Sequence, residues 1–126
     1  MKIAFTSTDG HTINQHFGTT TCFYIWEVGP KNAECVKKVH TPTSSLDEED
    51  RITSRADAIA DCTIVYTMQI GGPAAAKLVS RRIHPMKTTM ETPIVEVVGK
   101  LQSVLNDRPP PWLRKAMGQT PPEEGK

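Results

Sequence analysis

One stretch of this 126-residue chain narrows its fold more than any other: residues 62–76, Cys-Thr-Ile-Val-Tyr-Thr-Met-Gln-Ile-Gly-Gly-Pro-Ala-Ala-Ala. The first six residues are apolar and rich in β-branched side chains, the composition of a strand buried on both faces. Two glycines and a proline follow, and Pro in a first turn marks a helix start that another backbone can approach closely. Leu78, Val79 and Ile83 are expected to face the sheet from that helix. His84-Pro85 is expected to end it, because a residue before proline is pushed out of helical dihedrals. A brief strand over residues 86–90 comes next. Strand, helix and strand in this order form a crossover, which calls for parallel pairing.

The first third of the chain reads differently. Lys2–Thr6 is a first strand, Cys22–Val28 a second and Ala33–His40 a third, with Gly29-Pro30-Lys31-Asn32 turning the last two into a hairpin. The sheet is therefore expected to be mixed. Ser45, three residues before Glu48, has capping-box spacing, and the acidic block at residues 47–50 suits the positive end of a helix dipole. Ile52, Ala56, Ile59 and Ala60 follow at helical spacing. From Pro93, Ile94, Val97, Val98, Leu101, Val104 and Leu105 form a longer apolar stripe. Residues 106–111 break that helix, residues 112–117 make one more turn pinned by Trp112, and residues 118–126 read as a disordered tail.

The fold class is α/β: a central mixed five-stranded sheet flanked by helices in three layers, with the strand order of ribonuclease-H-like folds, an order that other three-layer α/β arrangements fit as well. Length allows one core, so residues 1–117 form a single domain. Met1-Lys2 leads directly into a strand, and no apolar run reaches membrane-spanning length, so the expected compartment is the cytoplasm. Three widely spaced cysteines, Cys22, Cys35 and Cys62, with no Cys-x-x-Cys pair, argue against a disulfide framework or a closed zinc site. Cys22 and Cys62 border strands, where a buried thiol is the usual case.

The first strand leads into a long polar loop, residues 7–18, which holds Asp9, His11, Asn14 and His16. Long loops between strands are commonly functional. In open α/β sheets ligands collect outside the carboxyl ends of the parallel strands, which gathers this loop with the Gly71-Gly72-Pro73 turn. Free N–H groups at that turn suit an anion. Residues 62–90 contain no carboxylate, yet hold Lys77, Arg81, Arg82, His84 and Lys87. Either a basic rim for an anionic ligand or a solvated helix face gives such a run. Imidazole is a good ligand for iron, and Met sulfur a weaker one.

Other chemistries lack their residues. A two-metal nuclease needs several carboxylates at strand ends, and Thr67, Met68 and Gln69 supply none. The loop after the first strand has no Gly-x-Gly-x-x-Gly for a dinucleotide. No nucleophile elbow is present, and the loop histidines have no acid–base partner beyond Asp9.

Several segments together resemble the dinitrogenase iron–molybdenum cofactor biosynthesis family. They are Ile3-Ala4-Phe5, Ser7-Thr8-Asp9, Asn14-Gln15-His16-Phe17-Gly18, Asp61-Cys62, the run from Ile70 to Ala76, His84-Pro85 and residues 109–116, Pro-Pro-Pro-Trp-Leu-Arg-Lys-Ala. The resemblance implies a non-enzymatic domain that binds an iron–sulfur precursor of the nitrogenase cofactor. It implies transfer of that cargo between the cofactor synthase and the scaffold complex. Neither nucleic acid nor membrane is an expected partner, and the expected state is a monomer. The histidine of His-Phe-Gly, His16 here, is tied to cluster binding in the family.

Joined to the residue reading, the candidate cargo-binding set is His16, His11, Asn14, Gly71, Gly72 and Arg81. His16 is the expected iron ligand, and Cys62 a further thiolate candidate. The lack of a cysteine cage is consistent with cargo that must be released. A second reading stays open: a regulatory or interaction protein of the same assembly machinery without its own tight cluster site.

Overall fold

The structure is a computed structural model that describes residues 1–41, 47–107 and 110–116. In chain order its elements are β1 (Lys2–Thr6), β2 (Thr12–Ile13), β3 (Cys22–Val28), β4 (Ala33–His40), α1 (Glu48–Ala58) and β5 (Ile64–Thr67). They continue as α2 (Gly72–Ser80), β6 (His84–Lys87), β7 (Thr92–Pro93), α3 (Ile94–Asn106) and α4 (Pro111–Ala116). Five strands form one mixed sheet in the order β4-β3-β1-β5-β6. The β4–β3–β1 part is antiparallel, and β1, β5 and β6 are parallel, with Ala4 opposite Val65 and Val65 opposite Pro85. The hairpin and the crossover expected from the sequence are both present.

Alternation along the central strands sends side chains to two cores. Ile3 and Phe5 of β1 join Ile64 and Tyr66 of β5 on one face, against Ile94, Val97, Val98 and Leu101 of α3 and Leu113 of α4. Ala4 and Val65 point the other way, toward Phe17, Phe23, Ile25, Ala56, Ala74 and Leu78. Helices thus cover both faces, which is why β5 is buried at every position. Phe5 anchors the first core, stacked on Tyr66 at 5.5 Å and edge-on to Trp26 at 6.3 Å between ring centroids. Burial of an aromatic of this size contributes roughly 1.5–3 kcal/mol.

Several local expectations need correction. Val79 does not face the sheet; it is 61% exposed, and Ala74 and Leu78, four residues apart on one stripe, make the contact. Ala60 is exposed because α1 has already ended, and Arg55 is buried in its stead. The α1 cap is Asp47, whose side chain accepts from the Asp50 N–H at 2.8 Å. Ser45 and the tail at residues 118–126 lie outside the described residues. α2 stops at Ser80, before His84-Pro85, because Arg82 adopts a left-handed φ of 63° and the Ile83 N–H turns back to the Leu78 carbonyl. In α4 the buried anchor is Leu113; Trp112 stays partly exposed and packs its ring on His84, 4.8 Å between centroids.

A second, two-stranded sheet was not legible in the sequence. It pairs Thr12 with Pro93 and Ile13 with Thr92. Two residues carry no periodicity, so such a strand leaves no pattern to read. It nevertheless clips the loop after β1 to the start of α3, aided by the Ile94 N–H donating to the His11 carbonyl at 2.8 Å.

Candidate functional site

The carboxyl ends of β1 and β5 are both threonines, Thr6 and Thr67, and both are fully buried. Their hydroxyls converge on one acceptor, the Gln15 carbonyl, at 2.9 and 3.0 Å. The Met68 N–H donates to the same oxygen at 3.0 Å. Immediately after it, His16 forms a parallel bridge with Gln69, and the Phe17 N–H donates to the Gln69 carbonyl at 2.8 Å. The His16 carbonyl accepts from Thr19 and Thr20. Phe17 is fully buried, its ring 5.7 Å from that of Phe23. The backbone of His16 is therefore held on both sides while its imidazole remains exposed at the sheet's carboxyl edge. A single ligand gains most from this kind of fixation, since little ordering remains to be done on binding.

The preceding loop is closed by Asp9. Its Oδ1 accepts from the His11 N–H at 2.8 Å, the Thr12 N–H at 3.0 Å and the Ser7 hydroxyl at 3.1 Å. The backbone donors His11 and Thr12 hold its carboxyl below the ordinary 3.8. Asp9 thus serves the His11 backbone; it is a turn-former rather than an acid–base partner. Gly10 is obligatory here: its φ is +79°, and a Cβ would lie 2.8 Å from the Tyr24 ring. Asn14 ties the loop across its base, accepting from the Thr8 N–H at 3.1 Å and donating to the Thr8 hydroxyl at 2.9 Å. His11 is exposed at the loop's far end, where its carbonyl meets α3. Of the loop residues, His16 is the one presented from the strand ends themselves.

The turn before α2 comes to the same edge. Gly71 is the N-cap and gives no side-chain hydrogen bond, and Pro73 occupies the first turn. Between this turn and α1 lies a cleft of about 130 Å³, lined by Phe17, Gly18, Glu48, Arg51, Ile52, Arg55, Gly71, Pro73 and Ala74. Gly71 thus shares a cleft with Phe17 and Gly18, which follow His16 directly, and Gly72 is its chain neighbour.

Arg81 and Cys62 are not. Arg81 follows the last residue of α2, about 13 Å of helix from Gly72. There its guanidinium pairs with Asp57 of α1. Cys62 precedes β5, roughly 16 Å of extended chain from Thr67, at the opposite edge of the sheet. It is buried, and burial together with the Asp61 charge pushes its thiol up to about 12. The carboxylate-free run at residues 62–90 crosses the molecule and returns, so its cations do not share one face: Lys87 closes β6 at the His16 edge, opposite Thr67, and Arg81 and Arg82 sit at the far end of α2. Among the described residues no three of His, Cys, Asp and Glu converge on a point that could hold a metal ion.

Sequence reasoning missed the two threonines and Arg55. Hydroxyls in a β-branched run read as strand formers. Arg55 looked like one more charge on α1, although Glu48, Arg51, Ile52 and Arg55 recur at helical spacing and define the stripe that lines the cleft.

A mixed five-stranded sheet with helices on both faces, and a pinned, exposed histidine at its carboxyl edge, make this a small α/β domain. Residues 1–104 match the family model described as dinitrogenase iron-molybdenum cofactor, and the chain belongs to that family. It is 40% identical over 121 residues to protein NifY of Azotobacter vinelandii, a match that covers 96% of this chain and 50% of that protein. The chain thus spans about half the length of that relative. It is 38% identical over 120 residues to protein NifX of Herbaspirillum seropedicae, covering 93% of this chain and 82% of the relative. Protein NifX of Rhodobacter capsulatus is 35% identical over 125 residues, with 94% and 78% covered. The crystal structure of PH0822 superposes with a TM-score of 0.65 over 82% of this chain and 91% of that one, at 20% identity, a likeness of fold alone. Among the described residues no helix is long and apolar enough to cross a membrane.

Proposed function

We propose that this chain is a non-enzymatic, cytoplasmic carrier in the making of the nitrogenase iron–molybdenum cofactor. Its cargo is an iron–sulfur precursor cluster, received from the cofactor synthase and passed to the scaffold complex. We read the sheet order as ribonuclease-H-like topology used for binding rather than catalysis. Family membership over most of the chain, together with the NifX and NifY relatives, supports a place in the making of that cofactor.

The observation that carries the reading is the fixed, exposed His16. A neutral imidazole nitrogen is a competent iron ligand. One such ligand on a rigid support holds a preformed cluster without enclosing it, so a scaffold with more ligands takes the cluster over. Asn14 and the Gly71-Gly72 turn flank this edge, and His11 stands at the far end of the loop against α3. Arg81 and Cys62 stand apart and have no part in the proposed contact. Anaerobic mixing with the isolated precursor, followed by gel filtration, tests the reading: comigration of iron absorbance with a monomeric chain is expected, and subsequent transfer to the scaffold complex. A colourless chain that still binds the scaffold would instead indicate an interaction protein.

A further inference from the structure

The cleft between α1 and the α2 turn contains a cation that the fold does not satisfy. Arg55 is 6% exposed, and its Nη2 donates to the Thr20 carbonyl at 3.0 Å. Its Nε and Nη1, which together carry three N–H groups, are buried and have no hydrogen-bond partner among the described residues. Buried guanidinium donors are costly to leave unpaired, so a structure that keeps them needs an acceptor at that place. Both burial and the neighbouring Arg51 charge act to lower the Arg55 pKa, the direction that a bound anion reverses.

The opposite wall supplies the other half of an anion site. α2 is nine residues long, and its N-cap Gly71 offers no side-chain acceptor to the first turn. Gly72 and Ala74 lie in that turn, where backbone N–H groups have no intrahelical acceptor, and the helix dipole adds partial positive charge. The glycines point the same way. Neither Gly18 nor Gly71 has a left-handed φ; a Cβ on Gly18 would meet nothing within 4 Å, and one on Gly71 only Pro73 Cδ at 3.9 Å. Neither the backbone nor packing requires glycine at either place, and both border the cleft. Glu48 at the rim is the one carboxylate in the lining, against Arg51 and Arg55.

We infer that Arg55, the first turn of α2 and the open space at Gly18 and Gly71 form a binding site for a small, multiply charged oxyanion. A cleft of about 130 Å³ takes a tetrahedral oxyanion or a short dicarboxylate. The forked guanidinium meets its oxygens from one side, and the Gly72 and Ala74 N–H groups from the other. The site adjoins the His16 loop through Phe17 and Gly18, yet it forms without any cluster and does not rest on the carrier reading.

The test uses the full chain free of cluster, in buffer without sulfate or phosphate. Sodium sulfate and sodium malonate are titrated separately against sodium chloride at constant ionic strength, following the Arg55 Nε–H and the Gly72 and Ala74 amide resonances. A saturable shift of all three with sulfate or malonate, absent with chloride, is expected, and the tighter of the two tells tetrahedral oxyanion from dicarboxylate. The Gly18→Ala/Gly71→Ala double variant places two methyl groups in the cleft, leaves Arg55 in place, and should weaken binding at least tenfold at an unchanged thermal midpoint. Arg55→Lys should lose the response as well. Linear, non-saturating shifts in the wild-type chain, or equal affinity in the glycine variant, would overturn the site. Because no cluster is used, neither result bears on whether His16 binds one.

Discussion

The Thr67 hydroxyl donates to the carbonyl of Gln15 at 3.0 Å, so the end of β5 holds the residue immediately before His16. Thr6 does the same from β1 at 2.9 Å. Two buried hydroxyls at the ends of adjacent parallel strands thereby fix the position of an exposed histidine. Each is worth about 0.5–1.5 kcal/mol net. Thr67→Val keeps the shape and removes the donor; the double variant with Thr6→Val should lower unfolding free energy by about 1–3 kcal/mol. Denaturant titration measures the stability loss, and cargo affinity should fall further than in the single variants, since the Met68 N–H alone then holds Gln15. Undiminished affinity in the double variant would show that the anchoring is irrelevant to the site.

Two glycines should respond in opposite directions. Gly10→Ala forces a side chain onto a left-handed φ of +79° and into the Tyr24 ring, and should cost about 1–2 kcal/mol or more. Gly99 lies inside α3 with open space where a Cβ would be, so Gly99→Ala should stabilise by about 1 kcal/mol. Thermal midpoints of the two variants provide the comparison.

The closing of the 7–14 loop should weaken in acid. The Asp9 carboxyl has a lower pKa folded than unfolded, through the His11 and Thr12 N–H groups. The unfolded chain therefore binds its proton more readily, and the contribution of this carboxylate is complete above the ordinary 3.8 and lost as pH falls through the lower folded value. The protection of the His11 and Thr12 amides against hydrogen exchange, taken relative to the intrinsic rate at each pH, should fall below that point in the wild-type chain. In Asp9→Ala that protection should already be low at pH 5.

Thiol chemistry separates the cysteines by place in the fold. Cys35 is exposed on β4, whereas Cys22 and Cys62 are buried and the Cys62 thiol is pushed up to about 12. Alkylation near neutral pH under native conditions should label Cys35 first and leave Cys62 until the chain is unfolded. Native labelling of Cys62 at a rate similar to Cys35 would contradict this placement. Cys62→Ala should leave cargo binding intact.

Most of the longer strands and helices were legible because each has a period or a run to betray it: β1, β3 and β4 occupy the spans read from the sequence, and α3 begins at the expected stripe. The strand expected over residues 86–90, by contrast, is β6 at His84–Lys87 and takes in the His84-Pro85 pair expected to end α2. Contacts between segments distant in sequence were not legible. The β2–β7 clip joins residues 79 and 81 positions apart, Ile13 with Thr92 and Thr12 with Pro93, and is two residues long. Arg81 looked like part of a basic rim because a sequence run takes no account of direction, whereas the helix carries it to the other edge of the sheet and Asp57. Asp57 and Arg81 are both accessible, so that pair is worth less than about 1 kcal/mol, and Arg81→Ala should change neither stability nor cargo affinity appreciably. The placement of His16 and of the turn at Gly71 beside the carboxyl ends of β1 and β5 could be read from the sequence, because both segments follow directly on those strands. Arg55 was passed over, because its helical-spacing stripe with Glu48, Arg51 and Ile52 reads equally well as a solvated helix face, and the sequence does not say that this one charge is buried.

The most direct measurement is an anaerobic titration of the wild-type chain and of His16→Ala with the isolated iron–sulfur precursor, read by absorbance and by iron content after gel filtration. Loss of an exposed side chain on a loop should leave the fold intact, so the thermal midpoints of the two proteins should agree. The carrier account predicts stoichiometric comigration with the wild-type chain and a loss of at least tenfold in affinity for the variant. Equal retention by both proteins would remove His16 from the site, and no retention by the wild-type chain would contradict the carrier role itself.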